Sequence, residues 1–160
     1  MGNCAICVAA DELKAVELFG EFKGIYGGGF HLIGFDLMGM CYSTRSVSTR
    51  IQENRVRCET KTSDDVFVFI DVAVQMEIIP KKAKEAIYKL DNPMRQIDSF
   101  VANVIRAKVP KLKLDEVFLA KDEIAKDVKS ELVHNMEEFG FCIHSVLVTD
   151  IDPDHKVRYS

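Results

Sequence analysis

The sequence predicts an α+β fold in which strands come first, helices follow and one strand returns at the end. Three observations predict it. Val66, Val68, Ile70, Val72, Val74 and Met76 form an unbroken period-two apolar face, the mark of a buried strand. Apolar residues then recur at helical spacing between Pro80 and Met136, and Phe141 to Ile151 reads as a strand again. The opposite face of the first strand, with Phe67, Phe69, Asp71, Ala73 and Gln75, is only half apolar, which suits an antiparallel sheet with helices packed on one side. No linker, repeat or low-complexity run divides the chain, so one α+β domain is expected.

In chain order, Glu12 to Ile33 reads as short strands punctuated by Gly20-Glu21 and by the triplet Gly27-Gly28-Gly29. Gly34 to Thr44 has no clean period and reads as a loop or apolar flap. Val47 to Thr60 supplies one or two antiparallel partners to the strong strand, with Ser63-Asp64-Asp65 as the turn into it. Pro80 opens a helix carrying Ala83, Ala86, Ile87 and Leu90, since proline in a first turn loses no needed hydrogen bond. Asp91-Asn92-Pro93 ends it and starts a second helix with Ile97, Phe100, Val101, Val104 and Ile105 on one stripe, ending near Val109-Pro110. A third helix is expected with Asp115 as N-cap, a stripe of Val117, Ile124, Val128, Leu132 and Met136, and Gly140 as a left-handed terminator. The last strand sets Phe141, Ile143, Leu147 and Ile151 against Cys142, His144, Val146 and Val148, so both faces are apolar and an interior position is expected. Asp152-Pro153 would then turn into a further helix.

Composition narrows the function. With 160 residues, 48% of them hydrophobic and 29% charged, the chain can bury a core. A net charge of −4 and a pI near 5.6 argue against nucleic acid, because phosphate binding needs clustered Lys and Arg. Arg45, Arg50, Arg55 and Arg57 come nearest to such a cluster and read as a solvated strand face. Five cysteines, at 4, 7, 41, 58 and 142, lack the density of a disulfide framework and point to a reducing compartment. No secretory signal or membrane-crossing helix is legible, so a membrane would be met from one side.

The N-terminus carries the most specific chemistry. N-myristoylation requires a glycine exposed by removal of Met1, with Ser or Thr favoured at the sixth position. Gly2 meets the first condition and Ile6 departs from the second. One myristoyl chain gives a binding constant of only about 10⁴ M⁻¹, so a second signal is needed. The nearest cation, Lys14, is flanked by acids, which leaves thioacylation of Cys4 or Cys7 as the second anchor. Residues 1–10 are accordingly read as a lipid-anchored segment and 11–160 as the folded domain. Zinc and redox readings of Cys4-x-x-Cys7 lack a second ligand pair and a strand-to-helix setting.

Elsewhere the residues favour structure over catalysis. Cys142 and His144, two apart on one strand, stand about 6–7 Å apart by strand geometry, and both read as core or near-core residues. Cys41 and Cys58 read as small hydrophobes. Asp150, Asp152 and Asp154 resemble the start of a calcium loop but meet His155 where glycine is required. No metal or cofactor is implied and no catalytic residue is assigned.

Several ungapped stretches resemble the plant-type hypersensitive-induced response proteins, a branch of the stomatin, prohibitin and flotillin (SPFH, or band 7) superfamily. They include Met1-Gly2-Asn3, Arg57-Cys58-Glu59-Thr60-Lys61-Thr62, Asp65-Val66-Phe67-Val68, Tyr88-Lys89-Leu90, Val104-Ile105-Arg106-Ala107, Val109-Pro110-Lys111-Leu112, Leu114-Asp115-Glu116-Val117-Phe118, Ile124-Ala125-Lys126 and Asp150-Ile151-Asp152-Pro153-Asp154. The resemblance implies a bent antiparallel sheet with helices against it. It also implies a non-enzymatic scaffold on the cytoplasmic face of the plasma membrane that organises microdomains, forms homo-oligomers or hetero-oligomers with band 7 relatives, and in plants is linked to defence cell death and leucine-rich-repeat partners. Family acylation sites map onto Gly2, Cys4 and Cys7. Family members continue into a long oligomerising helix beyond the Asp-Pro turn, which this chain is expected to lack. A soluble truncated regulator that binds full-length relatives is the alternative expectation.

Overall fold

The structure, a computed structural model, describes residues 5–34 and 42–154. These fall into two compact units, each built from discontinuous parts of the chain. The first comprises Met1–Ile51, Glu77–Asp91 and Phe139–Phe141; the second comprises Gln52–Met76, Asn92–Glu138 and Cys142–Ser160.

In the first unit, β1 (Ala5–Val8) pairs antiparallel with β4 (Gly29–Leu32), and β2 (Glu12–Leu18) lies between β3 (Glu21–Tyr26) and β5 (Tyr42–Ser48), both antiparallel to it. Residues 5–8, read above as part of an anchor segment, are therefore a strand. Its alternate side chains Ile6 and Val8 join Val16 in the core, with Tyr26, Ile33 and Tyr42 packed around them. Phe19 and Gly20, at φ 51° and 82°, make the two-residue turn that faces Leu18 to Glu21, a combination matching the right-handed strand twist. Of the glycine triplet read as a turn, Gly27 and Gly28 link β3 to β4 while Gly29 already opens β4, and at Gly28 the chain passes close to itself. A Cβ on Gly28 would stand 2.7 Å from Ala10 Cα.

The same unit holds a 3₁₀ turn at Pro80–Lys82 and α1 (Ala83–Tyr88), in which Ala83 and Ala86 are buried as their spacing predicts. Gly140, at φ 84°, is the left-handed residue predicted there, and its carbonyl accepts the N–H of Ile79 at 2.8 Å.

The second unit is built on a three-stranded sheet in the order β6 (Gln52–Lys61), β7 (Phe67–Ile78), β8 (Phe141–Pro153). β6 and β7 pair in register from Gln52–Met76 to Lys61–Phe67. Val47 and Ser48, expected as part of a partner for β7, lie in β5 and pair with β2 instead. Ser145 Oγ donates to Gln75 Oε1, Thr149 Oγ1 to the Asp71 carbonyl, and the Asp154 N–H to the Phe67 carbonyl. Opposed numbers that fall on β7 as they rise on β8 make this pair antiparallel too.

The core of this unit lies on the predicted face of β7, where Val68, Ile70, Val72, Val74 and Met76 are at most 1% exposed. α2 (Pro93–Lys108), with Ile97, Val101 and Ile105 buried, packs against β6, and α4 (Lys121–Met136), with Ile124, Val128, Leu132 and Met136 buried, packs against α2. α2 starts as its sequence predicts, with the Asn92 side chain accepting the Arg95 N–H at 3.1 Å.

The single third helix expected from Asp115 is instead two, α3 (Leu114–Leu119) and α4, broken at Ala120 (φ −88°, ψ 5°). The N-cap is Lys113, not Asp115. Glu116 reaches back to the Lys113 N–H at 2.8 Å, and the Leu114 N–H donates to Asp64 at 3.2 Å, fifty residues earlier in the chain. Asp64 belongs to the predicted Ser63-Asp64-Asp65 turn, where Thr62 Oγ1 donates to it at 2.6 Å and holds its carboxyl below the ordinary value.

β8 is a further correction. It lies at one end of the three-strand order, and β7, not β8, is interior. Phe141, Ile143, Val146 and Ile151 are buried whereas Leu147 is exposed, so strict alternation fails between Ile143 and Val146. Asp152 and Pro153 continue this strand and do not start a helix. The helix expected beyond them, with His155, falls outside the described residues.

Candidate functional site

Among the sequence-derived site residues, Cys7 lies in the described structure; Gly2 and Cys4 lie outside it, as does Cys41. Strand alternation decides which way Cys7 faces. Ile6 and Val8 point into the core at 8% and 3% exposure, so Cys7 between them points outward. Its partner across the ladder is Phe30, and Ala5 is opposite Leu32. Directly opposed residues share a face. The outer surface of this ribbon therefore joins a free thiol to two exposed apolar side chains, Phe30 at 70% and Leu32 at 76%. Lys14 Nζ donates to the Cys7 carbonyl at 2.9 Å and ties β1 to β2.

The first unit also contains a buried carboxylate. Glu17, on β2, accepts hydrogen bonds from Tyr88 Oη at 2.6 Å and Ser43 Oγ at 2.9 Å, and pairs with Arg45 Nε at 3.1 Å. The Tyr88 bond, then that of Ser43, holds the Glu17 carboxyl below its ordinary value against the opposing effect of desolvation. Desolvation, then the Glu17 bond, pushes the Tyr88 phenol up to about 12. The Arg45 guanidinium lies 5.6 Å from the Tyr88 ring centre, and Phe22 meets that ring edge to face at 5.7 Å. The Tyr88 bond holds α1 to β2 while Ser43 and Arg45 on β5 hold the Glu17 carboxylate in place, so the cluster is a structural latch.

Residues 8–160 match the SPFH domain / Band 7 family. The chain belongs to that family. Hypersensitive-induced response protein 4 of Arabidopsis thaliana is 38% identical over 162 residues, covering 99% of this chain and 55% of the relative. This band 7 chain thus spans about half the length of the curated relative it matches.

The remaining candidates in the band 7 chain sort by environment. Cys58 is buried as a small hydrophobe, and desolvation pushes its thiol up. Cys142 is half-buried and His144 exposed, so the histidine is not the core residue expected. Its ring and the Cys142 sulfur come within 4.8 Å, closer than backbone spacing alone implies, because the side chains lean toward each other. The four arginines are exposed, as read, and each is answered by acids: Arg45 by Glu17, Arg50 by Asp11, Arg55 by Glu53, Arg57 by Asp71 and Asp152. Arg57 and Lys61 also stack on Phe69 and Phe67 at 4.8 and 5.6 Å. Among the described residues no helix is long and apolar enough to cross a membrane.

Sequence reading missed that Cys7 belongs to a strand. The signal was the apolar pair Ile6 and Val8 around it, in a run too short for periodicity to settle. It also missed the Glu17 latch, whose members 17, 43, 45 and 88 share no local pattern.

Proposed function

We propose that this chain is a non-enzymatic scaffold of the SPFH type, lipid-anchored on the cytoplasmic face of the plasma membrane, where it organises microdomains. Family membership supports the scaffold reading. The observation that carries the anchoring is the outward face of β1 and β4, where the Cys7 thiol stands beside Phe30 and Leu32. A thioester-linked acyl chain gains about 0.8 kcal/mol per buried CH₂, so a chain of about sixteen carbons dominates attachment. Burying Phe30 and Leu32 adds about 1.5–3 kcal/mol each at full burial, enough to orient the unit once the acyl chain has inserted. Gly2 and Cys4 act as companion sites. Homo-oligomers or hetero-oligomers with band 7 relatives, leucine-rich-repeat partners, and the hypersensitive response for which the relative is named complete the proposal.

Intact-mass measurement and membrane fractionation of protein made in eukaryotic cells test the anchor. Added myristate or palmitate is expected, with release into the soluble fraction for Gly2→Ala and for Cys4→Ala/Cys7→Ala. An unmodified, wholly soluble wild-type protein would sink the proposal.

A further inference from the structure

The first unit carries a cationic surface whose members are remote from the N-terminus in sequence. From Pro80 to Lys89 the chain holds four lysines, Lys81, Lys82, Lys84 and Lys89, against one acid, Glu85. The inner side of this turn and helix is fixed by buried Ala83 and Ala86, so Lys81, Lys84, Tyr88 and Lys89 face solvent. Lys81 lies on the 3₁₀ turn, Lys84 in the first turn of α1 and Lys89 just after its last residue. Lys84 Nζ lies 4.6 Å from the Phe22 ring centre, and Phe22 packs against Tyr88, which continues the surface onto the sheet.

The charge on this segment differs from that of the four strand arginines. Arg45, Arg50, Arg55 and Arg57 are each neutralised by a carboxylate of this chain. Lys81, Lys84 and Lys89 form no ion pair with any described residue. In a protein of net charge −4, this short segment thus presents three exposed cations without a carboxylate partner among the described residues. Lysines without a carboxylate partner complement an anionic lipid surface, with the ammonium groups among phosphates and carboxylates.

We propose that the Pro80–Lys89 segment binds anionic phospholipid headgroups and serves as the electrostatic second signal that a singly acylated chain needs. The proposal rests on the membrane reading above and names the lipid class. Each lysine brought to an anionic surface gives about a five-fold gain in partitioning, so Lys81→Gln/Lys84→Gln removes about 25-fold.

The test uses unacylated full chain, made without acyl transferases, in flotation with vesicles of phosphatidylcholine alone or with phosphatidylserine added. Binding to the phosphatidylserine vesicles is expected, weakening with salt, falling about 25-fold in Lys81→Gln/Lys84→Gln and unchanged in the control Lys111→Gln/Lys126→Gln. Equal binding to both vesicles, no binding to either, or equal loss in the control overturns the proposal. Self-association that the Lys81→Gln/Lys84→Gln change abolishes, without vesicle binding, also overturns it by assigning the segment to a second copy. Acylated protein on pure phosphatidylcholine is scored separately: its failure to bind counts against the anchor alone, and failure of the phosphatidylserine arm counts against the segment alone.

Discussion

The Tyr88 hydroxyl donates a 2.6 Å hydrogen bond to Glu17, seventy-one residues earlier, and so fastens α1 to β2. Tyr88→Phe keeps the ring contacts with Phe22 and Arg45 and removes only this bond. A fall of about 4 °C in melting temperature is expected, since a hydrogen bond to a charged group contributes more than a neutral one. Thermal unfolding followed by circular dichroism measures it. An unchanged melting temperature would show that Ser43 and Arg45 suffice to hold Glu17.

The same pair sets a pH dependence at both ends. Glu17 is held below its ordinary value of 4.5 in the folded state, so its contribution is fully present above that value and is lost as pH falls through the depressed one. Tyr88 is raised from 10.0 to about 12, so its contribution is full below 10 and is lost as pH rises toward 12. Glu17→Gln should therefore narrow its stability deficit against wild type as acid is added, and Tyr88→Phe should lose the alkaline fall. Urea unfolding across pH reads both. A parallel offset at every pH would exclude Glu17 as the titrating group.

Gly140 gives a sharper backbone prediction. A Cβ there would stand 2.5 Å from the Lys82 carbonyl oxygen, at a φ of 84° that side chains disfavour. Strain and clash act together, so Gly140→Ala should cost at least about 2 kcal/mol in urea unfolding. A cost below half that would mean that the Lys82 backbone yields easily.

Thiol labelling separates the cysteines. Cys7 is exposed, while Cys58 is 3% exposed with its thiol pushed up by burial, so a maleimide should modify Cys7 at once and Cys58 only on unfolding. Mass mapping of labelled peptides checks this in the native protein. Rapid native labelling of Cys58 would contradict the packing of β6 against α2.

Long periodic segments were legible because burial imposes their period. The apolar face of β7 and the stripes of α2 and α4 lie where alternation and helical spacing put them. The α3–α4 break escaped notice because Val117 and Ile124 stay on one stripe through Ala120, and no glycine or proline marks the interruption. The cap of α3 was misread because its second acceptor, Asp64, comes from a distant turn. β8 was read as interior because its composition is apolar, yet its place in the sheet depends on strand order, which composition does not encode. The proposed anchor site was half legible: Gly2, Cys4 and Cys7 are visible as chemistry, but the exposed Phe30 and Leu32 beside Cys7 arise from β1–β4 pairing.

Ile6 links the two halves of that site. The sixth position is where the acylation signal favours Ser or Thr, and it is also where β1 sends a side chain into the cluster with Val8 and Val16. Core demand explains the departure: a hydroxyl at this position would be buried, and the packing of an isoleucine would be lost. Ile6→Ser should therefore raise myristate incorporation by a eukaryotic transferase while lowering stability by about 3 kcal/mol, from lost burial plus an unpaired hydroxyl. Intact mass and urea unfolding on the same preparation give the two readouts. The trade-off requires both to move; a stable Ile6→Ser protein with unchanged acylation would show that neither demand acts on this residue.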